Sequence, residues 1–323
     1  MVSSIFQVYE IITMNFLQSL IPSRELVWPE SHYGKAVTIF IGLASCYAIK
    51  RYKNALQRAK RYEVDQFKHT PGVILLHQFS RGKTCINLSP FAIKLETFFR
   101  LANIPYKVDC SVPFGPKGKC PWVNFEDGQP MGDSNFILDK IIAEEKAKGS
   151  TGRLPPGDAL ISVREQGALE GIRALMEEQL FWVVVYWRYC LDGCKSFLKS
   201  QRFPPFLNFA FPIFMGRGFL KRSRHHGIAV HSPQEIFHIY RKTLKALDDY
   251  LGDAEYFCGR LPGTADCGVF GSLAQLMWNA PDTPYKALLT GEFPRLAAYC
   301  VRMKERVYPD WDDLISQEYV AIK

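Results

Sequence analysis

Ser89 and Pro90 stand where the sequence predicts the start of a helix. The pattern that follows, FAIKLETFFRLA, places apolar residues on one helical face, and Ser-Pro suits an N-cap followed by a first helical position. Free amides and the dipole at a helix N-terminus stabilise an anion, so the Ser89 hydroxyl could donate to a bound thiolate and lower its pKa. A cap that needs no substrate is the simpler interpretation, and both stay open.

Two further pairs could bind a ligand beside Ser89. Cys120-Pro121 opens a predicted strand, and a cis bond there would turn the backbone N–H and C=O of Cys120 toward a peptide. Asp133-Ser134 opens another helix, whose amides and hydroxyl could bind a carboxylate. The Cys120 side chain is either a reactive thiol or inert, the latter being favoured, and an ordinary helix cap is the alternative at Asp133-Ser134.

The elements around these pairs follow the order β-α-β-loop-β-β-α. Strands are predicted at residues 73–79, 105–110 and 121–125, and a short fourth strand follows the Asp-Gly turn at 127–128. Helices are predicted before the second strand and after the fourth. This is the thioredoxin-like order, with one helix shortened or missing between the second and third strands. In that fold the three pairs converge on one spot.

The remaining sequence predicts helices throughout. A long or broken helix covers 162–200, Ser232 and Glu235 form a capping box, and two more helices cover 264–278 and 293–307. A helical bundle after a thioredoxin-like domain is the two-domain plan of glutathione transferases. The predicted fold is therefore glutathione transferase-like, of the α/β plus all-α class, with an N-terminal hydrophobic anchor.

Three parts of the chain are predicted. Residues 1–70 form an amphipathic or transmembrane anchor and a basic linker, 71–152 a thioredoxin-like domain, and 153–323 a helical domain. Within the last, residues 203–224 are apolar and then basic, and either touch a membrane surface or cover the bundle, the cover being favoured. Asp266 is expected to cap a buried helix, without a catalytic role.

Residues 36–49 are fourteen in number, carry no charge, and lie between Lys35 and Lys50. A helix needs roughly 20 apolar residues to span a bilayer, but flanking lysines can snorkel. The basic run 50–61 contains no acidic residue, which favours the cytosolic side of a membrane. The prediction is a single-pass membrane protein whose folded domains face the cytosol. An interfacial helix and a soluble core helix are the alternatives. Residues 1–23 predict an amphipathic helix that lies on the same membrane or packs on the main fold.

The net charge of +8 and the nine cysteines limit the partners. Residues 1–70 carry nine Lys/Arg against five Asp/Glu, which is half of the excess charge. Membrane lipid contacting residues 36–61 is therefore expected, and nucleic acid is not, because the basic residues do not spread over a folded face. The odd number of cysteines and the lack of a CxxC motif predict reduced thiols and no metal site. An unknown protein partner and a homodimer are left open.

Six segments in order carry a family resemblance: VILLHQFSR, NLSPFAIKLETFFRLANIPY, GKCPWVNFEDGQPMGDSNFI, EEQLFWVVVYWRY, ADCGVFGSLAQLMW and LAAYCVRMKERVYPDW. Over about residues 73–312 the chain resembles the failed axon connections family, with metaxins and nematode cadmium-responsive proteins as similar relatives. The resemblance implies a glutathione transferase-like fold, an N-terminal anchor, and a role in axon development without a settled catalytic activity. Glutathione is the candidate ligand, held by Cys120, Pro121, Asp133 and Ser134.

The chain departs from the family pattern at two positions. The family commonly reads SPFC, whereas Ala92 ends the motif here, so chemistry that needs a thiol at this position is absent. Gly263 replaces a Ser that is usual in a helix cap, which weakens the cap without threatening the fold.

Two functions are consistent with these features. The leading hypothesis is a membrane-anchored, cytosol-facing scaffold, non-catalytic or weakly catalytic, in axon or neuronal development. The rival is a glutathione-dependent transferase or detoxification enzyme in which Ser89 is catalytic. A metaxin-like subunit of a membrane import complex rests on fold analogy alone.

Overall fold

A four-stranded sheet forms the first half of the part that the computed structural model describes, which comprises residues 70–202, 205–279 and 282–316. Its strands are β1 (Ile74–His77), β2 (Tyr106–Asp109), β3 (Trp122–Asn124) and β4 (Pro130–Gly132). The strand order is β2-β1-β3-β4, with β1 parallel to β2 and β3 antiparallel to both β1 and β4. This agrees with the predicted thioredoxin-like order.

Two helices pack on this sheet, α1 (Pro90–Leu101) and α2 (Ser134–Ala147). All four residues of β1 are buried, as expected for a central strand covered on both faces. Fully buried side chains of the sheet and of α1 form one apolar core, among them Leu76, Phe98 and Val123.

The second half is helical. Its helices are α3 (Val163–Ala174), α4 (Phe181–Tyr186), α5 (Lys195–Ser200), α6 (Pro205–His226), α7 (Pro233–Leu251), α8 (Thr264–Met277), α9 (Pro284–Glu292), α10 (Pro294–Val307) and α11 (Trp311–Ser316). The long helix predicted over 162–200 is a broken one, because π-helical segments at Leu175–Leu180 and Trp187–Leu191 flank α4. The domain limits at residues 70 and 152 stay predictions.

Helix α8 lies directly against the start of α1. A Cβ on Gly271 would lie only 2.4 Å from the backbone oxygen of Pro90, so glycine permits this close approach. Asp266 caps α8 as predicted, because its carboxylate accepts backbone N–H groups of Phe257, Cys258 and Gly263 at 2.7, 3.2 and 2.9 Å. The helical half therefore fixes the end of α1 that carries Ser89.

Helix α6 covers part of the bundle. Phe219 stacks on Tyr189 with ring centroids 4.0 Å apart, and a Cβ on Gly216 would lie 3.3 Å from the Tyr189 oxygen. This contact agrees with the interpretation of residues 203–224 as a hydrophobic cover.

The prediction of a single-pass membrane protein is corrected. None of the helices within 70–202, 205–279 and 282–316 is both long and apolar enough to cross a bilayer. The segment 36–49 that carried the prediction, the amphipathic helix at 1–23 and the basic run 50–61 all lie outside the described residues.

Candidate functional site

The strand register brings two of the predicted pairs to one edge of the sheet. His77 lies beside Asp109 on one neighbouring strand and beside Trp122 on the other, and Trp122 lies beside Gly132. Pro121 comes directly before Trp122, and the Asp133-Ser134 pair comes directly after Gly132. These two sites are therefore neighbours on the same edge.

The Cys120-Pro121 bond is cis, as the sequence predicted. Among the hydrogen bonds of the described residues, the backbone N–H and C=O of Cys120 have no partner. Burial raises the pKa of the Cys120 thiol well above its ordinary value, although a hydrogen bond with the Phe79 backbone opposes this shift. The thiol thus stays protonated, and the open backbone groups are what this residue offers to a peptide.

Asp133 and Ser134 form the start of α2. Asp133 has a φ of 89°, a conformation rare for a residue with a side chain, and its carboxylate accepts the N–H of Asn135 at 3.1 Å. Ser134 is 6% exposed, and its hydroxyl and N–H have no hydrogen-bond partner within the described part of the chain. These donors at a helix N-terminus are available to a carboxylate.

Ser89 caps α1. Its hydroxyl oxygen accepts the N–H of Ala92 at 3.3 Å, and its own N–H donates to the Asn87 side chain at 2.9 Å. The residue is 6% exposed. Because the hydroxyl oxygen accepts in this bond, its proton stays available for a second, donated bond. The capping interpretation is therefore realised, and a donor role stays open.

A polar network ties α1 to the first turn of α2. Lys94 lies five residues after Ser89, about 7.5 Å along the helix axis, and its Nζ donates to the Asn135 side chain and to Glu177. Asn135 follows Ser134 directly. Ser89 thus lies at the N-terminus of a helix, α1, that contacts the first turn of α2 beside Ser134. None of the hydrogen bonds described for the structure joins Ser89 to Pro121 or Ser134.

Sequence reasoning missed this network. Lys94 lies three residues after Phe91 and four before Phe98, so it interrupts the apolar stripe of α1, and a lysine there was a detectable signal. Glu177 is 83 residues away in sequence and gave no local signal.

Sequence reasoning also missed the contacts of His77 that stabilise the end of the sheet next to Pro121. The His77 ring stacks on Trp122 with centroids 3.6 Å apart, its Nε2 lies 2.8 Å from Asn124 Oδ1, and its Nδ1 lies 3.1 Å from Asp109 Oδ2. Burial alone would raise the pKa of Asp109, but the adjacent His77 ring and hydrogen bonds from Ser111 hold it well below the ordinary value. A charged carboxylate therefore anchors this end of the sheet.

The loop between β1 and α1 is fixed by contacts with α1 and with the helical half. Arg81 makes two hydrogen bonds of 2.7 Å with the carboxylate of Glu96, whose side chain is fully buried. The backbone oxygen of Asn87 accepts the side-chain amides of Gln275 and Asn279 at 3.1 and 2.9 Å. Since Asn87 in turn holds Ser89, the helical half positions the candidate hydroxyl.

The helical half presents an aromatic wall beside α1. Phe91 lies 5.1 Å from Phe181 between ring centroids, and Phe181 contacts Trp182 edge to face at 5.5 Å. An apolar group bound near the start of α1 would find its partners here.

Comparison with known proteins supports this architecture. The family model described as the glutathione S-transferase N-terminal domain matches residues 90–194, and that of the glutathione S-transferase C-terminal domain matches residues 240–303. Failed axon connections of Drosophila melanogaster is 30% identical over 82% of this chain, and the match spans 65% of that protein. The chain thus covers less than two thirds of this relative's length.

More distant similarities are also found. Metaxin-2 of Mus musculus is 22% identical over 73% of this chain and 89% of its own length. A solved glutathione S-transferase of Methylobacterium radiotolerans, in complex with glutathione sulfonate, is 17% identical with a TM-score of 0.46, covering 78% of this chain and 98% of the other. The two matched glutathione transferase regions and the identity to the Drosophila protein lead to one conclusion. The chain is a homologue of the Drosophila failed axon connections protein and contains two glutathione S-transferase-like regions.

Proposed function

We propose that this chain is a non-catalytic or weakly catalytic scaffold with a role in axon or neuronal development. One observation carries the proposal: the first turn of α1 contains no thiol, since Ala92 is fully buried where the family commonly has Cys, and Ser89 serves as the helix cap. A scaffold keeps the fold and its surfaces while the reaction centre loses its chemistry. The neuronal role is supported by the name of the Drosophila relative and is part of the proposal.

Weak glutathione binding is part of this proposal. The open backbone N–H and C=O of Cys120 suit the backbone of a tripeptide, and the free donors of Ser134 suit its γ-glutamyl carboxylate. The chemistry of the residues present therefore fits this ligand. Glutathione would supply a thiol, and the chain's own residues would bind and orient it.

A glutathione-dependent transferase that uses Ser89 is the second candidate. The specific observation in its favour is the Ser89 hydroxyl, whose proton is not used by the capping bond to Ala92. A hydroxyl that donates to a bound thiolate lowers the pKa of the thiol and raises the nucleophile concentration at neutral pH. The pKa effect would require the sulfur to lie within hydrogen-bond distance of this oxygen.

Glutathione conjugation by the full chain separates the two candidates. A chloronitrobenzene electrophile is offered to wild type, Ser89→Ala and Ser89→Asn. The alanine removes both hydroxyl and cap, at a cost of about 0.5–2 kcal/mol of stability, whereas asparagine caps about as well as serine. The asparagine variant therefore isolates the hydroxyl from the fold.

A scaffold gives turnover at or near the uncatalysed rate in all three proteins. Turnover in wild type that is lost equally in Ser89→Ala and Ser89→Asn would refute the scaffold and support the enzyme. An unknown protein partner is the natural expectation for a scaffold, and crosslinking of the full chain followed by mass spectrometry would identify it.

A further inference from the structure

We propose that Glu177 competes with the carboxylate of a ligand bound at the start of α2 for the cation of Lys94. It lies in the helical half, in the π-helical segment Leu175–Leu180, and engages the polar side chains beside Ser134. This inference rests on the proposed function, in which Cys120 and Ser134 form the ligand platform for glutathione. It adds how binding to that platform is regulated. It gives a physical reason why the platform would bind glutathione weakly.

The contacts of Glu177 are those a bound carboxylate would make. Its Oε1 accepts from Lys94 Nζ at 2.8 Å, and its Oε2 accepts from Asn135 Nδ2 at 2.7 Å. Arg173 also donates to Oε2, at 3.0 Å. Asn135 is the residue after Ser134, so two of the three donors flank the helix N-terminus where a ligand carboxylate is expected.

Burial makes this pairing strong. The Lys94 side chain is 4% exposed and that of Glu177 is 12% exposed. A buried ammonium requires a counter-charge, and among the described residues Glu177 is the carboxylate in ion-pair contact with Lys94. Lys94 is therefore already neutralised before any ligand arrives.

A ligand carboxylate at Ser134 would compete with Glu177 for the same cation. While Glu177 keeps Lys94 paired, the incoming anion gains little from it and is repelled by the neighbouring carboxylate. Glu177→Gln keeps the side-chain shape and one acceptor oxygen but removes the negative charge. The charge around Lys94 then becomes one unit more positive, which favours an anionic ligand.

The test measures binding of S-methylglutathione to the full chain by calorimetry, which needs no catalysis. Cysteinylglycine, which lacks the γ-glutamyl carboxylate, is the matched ligand control. Glu170→Gln is the matched protein control, because Glu170 also pairs with Arg173 but contacts neither Lys94 nor Asn135 and is exposed. Far-UV circular dichroism and thermal unfolding establish that each variant is folded.

We expect Glu177→Gln to bind S-methylglutathione at least tenfold more tightly than wild type, with no gain for cysteinylglycine and none in Glu170→Gln. Lys94→Gln combined with Glu177→Gln should lose the gain, since the freed cation is gone. Glu177→Asp provides a second variant if the glutamine protein does not fold, and its shorter carboxylate should give a smaller gain.

Equal binding by wild type and a folded Glu177→Gln protein would overturn the inference, as would a gain that survives the loss of Lys94. Neither result bears on turnover. Conversely, Ser89-dependent turnover in wild type would refute the scaffold and leave the competition by Glu177 standing, so the two proposals fail separately.

Discussion

Glu96→Gln is expected to lower the free energy of unfolding by about 3–5 kcal/mol at neutral pH, the usual loss when one partner of a buried ion pair is removed. Glu96 is fully buried, and its two carboxylate oxygens each lie 2.7 Å from a guanidinium nitrogen of Arg81. Gln78 and Tyr106 donate to the same carboxylate at 3.2 and 3.0 Å. A neutral amide leaves the Arg81 charge unpaired in the interior and places an NH₂ group among donors.

The Arg81–Glu96 pair also makes the stability of the fold depend on pH. Burial would raise the pKa of Glu96, but the charge and hydrogen bonds of Arg81 lower it below the ordinary value of 4.5. Because the folded-state pKa is the lower one, the ionised carboxylate stabilises the fold above the unfolded-state pKa. This contribution is lost as the pH falls through the folded-state pKa. Protonated Glu96 resembles glutamine, so the difference between wild type and variant must shrink in acid.

Urea unfolding of the full chain at neutral and acidic pH measures both effects. Glu144→Gln is the control, since Glu144 forms an exposed pair with Lys140 and its loss should change stability by no more than about 0.5 kcal/mol. Replacing both partners, as in Arg81→Met with Glu96→Leu, should be less damaging than Glu96→Gln alone. A loss below about 1 kcal/mol at neutral pH, or a loss that does not change in acid, would refute the reasoning.

Two further outcomes are expected. Gly271→Ala should destabilise the fold by about 1–3 kcal/mol in urea unfolding, because its Cβ would lie 2.4 Å from the Pro90 oxygen, whereas Gly218→Ala on α6 has nothing within 4 Å and should be neutral or stabilising. Equal effects of the two alanines would contradict the close packing of α8 on α1. Cys85, whose pKa burial raises to about 12, and Cys120 should resist iodoacetamide at neutral pH in the native protein and react after unfolding. Rapid native labelling of either thiol, measured by mass spectrometry, would contradict this.

Sequence patterns predicted the helix starts that depend on interactions between residues close in the chain. Ser89 before Pro90 marks the start of α1, and the Ser232–Glu235 capping box marks the start of α7, because a cap acts within four residues. The cis Cys120-Pro121 bond and the cap at Asp266 were also predicted, since the strand order and a short motif define their surroundings.

The rest of the candidate site depends on contacts between distant segments. Glu96 and Lys94 are charged residues on a helix, a pattern that normally indicates a solvated face, yet both are buried because partners arrive from other elements. The π-helical segments beside α4 leave no periodicity that distinguishes them from an α-helix. The membrane prediction was wrong, because no helix among the described residues is long and apolar enough to cross a bilayer.

The hydrogen bond from Gln275 of α8 to Asn87 has a consequence for synthesis on the ribosome. The Gln275 side chain that holds the Asn87 oxygen lies 188 residues further along the chain. At about 5–20 residues per second, the loop before Ser89 would wait roughly 10–40 s for this partner to be translated. The loop before Ser89 therefore emerges without the contact that fixes it, and nascent chains released early would leave this loop exposed to chaperones.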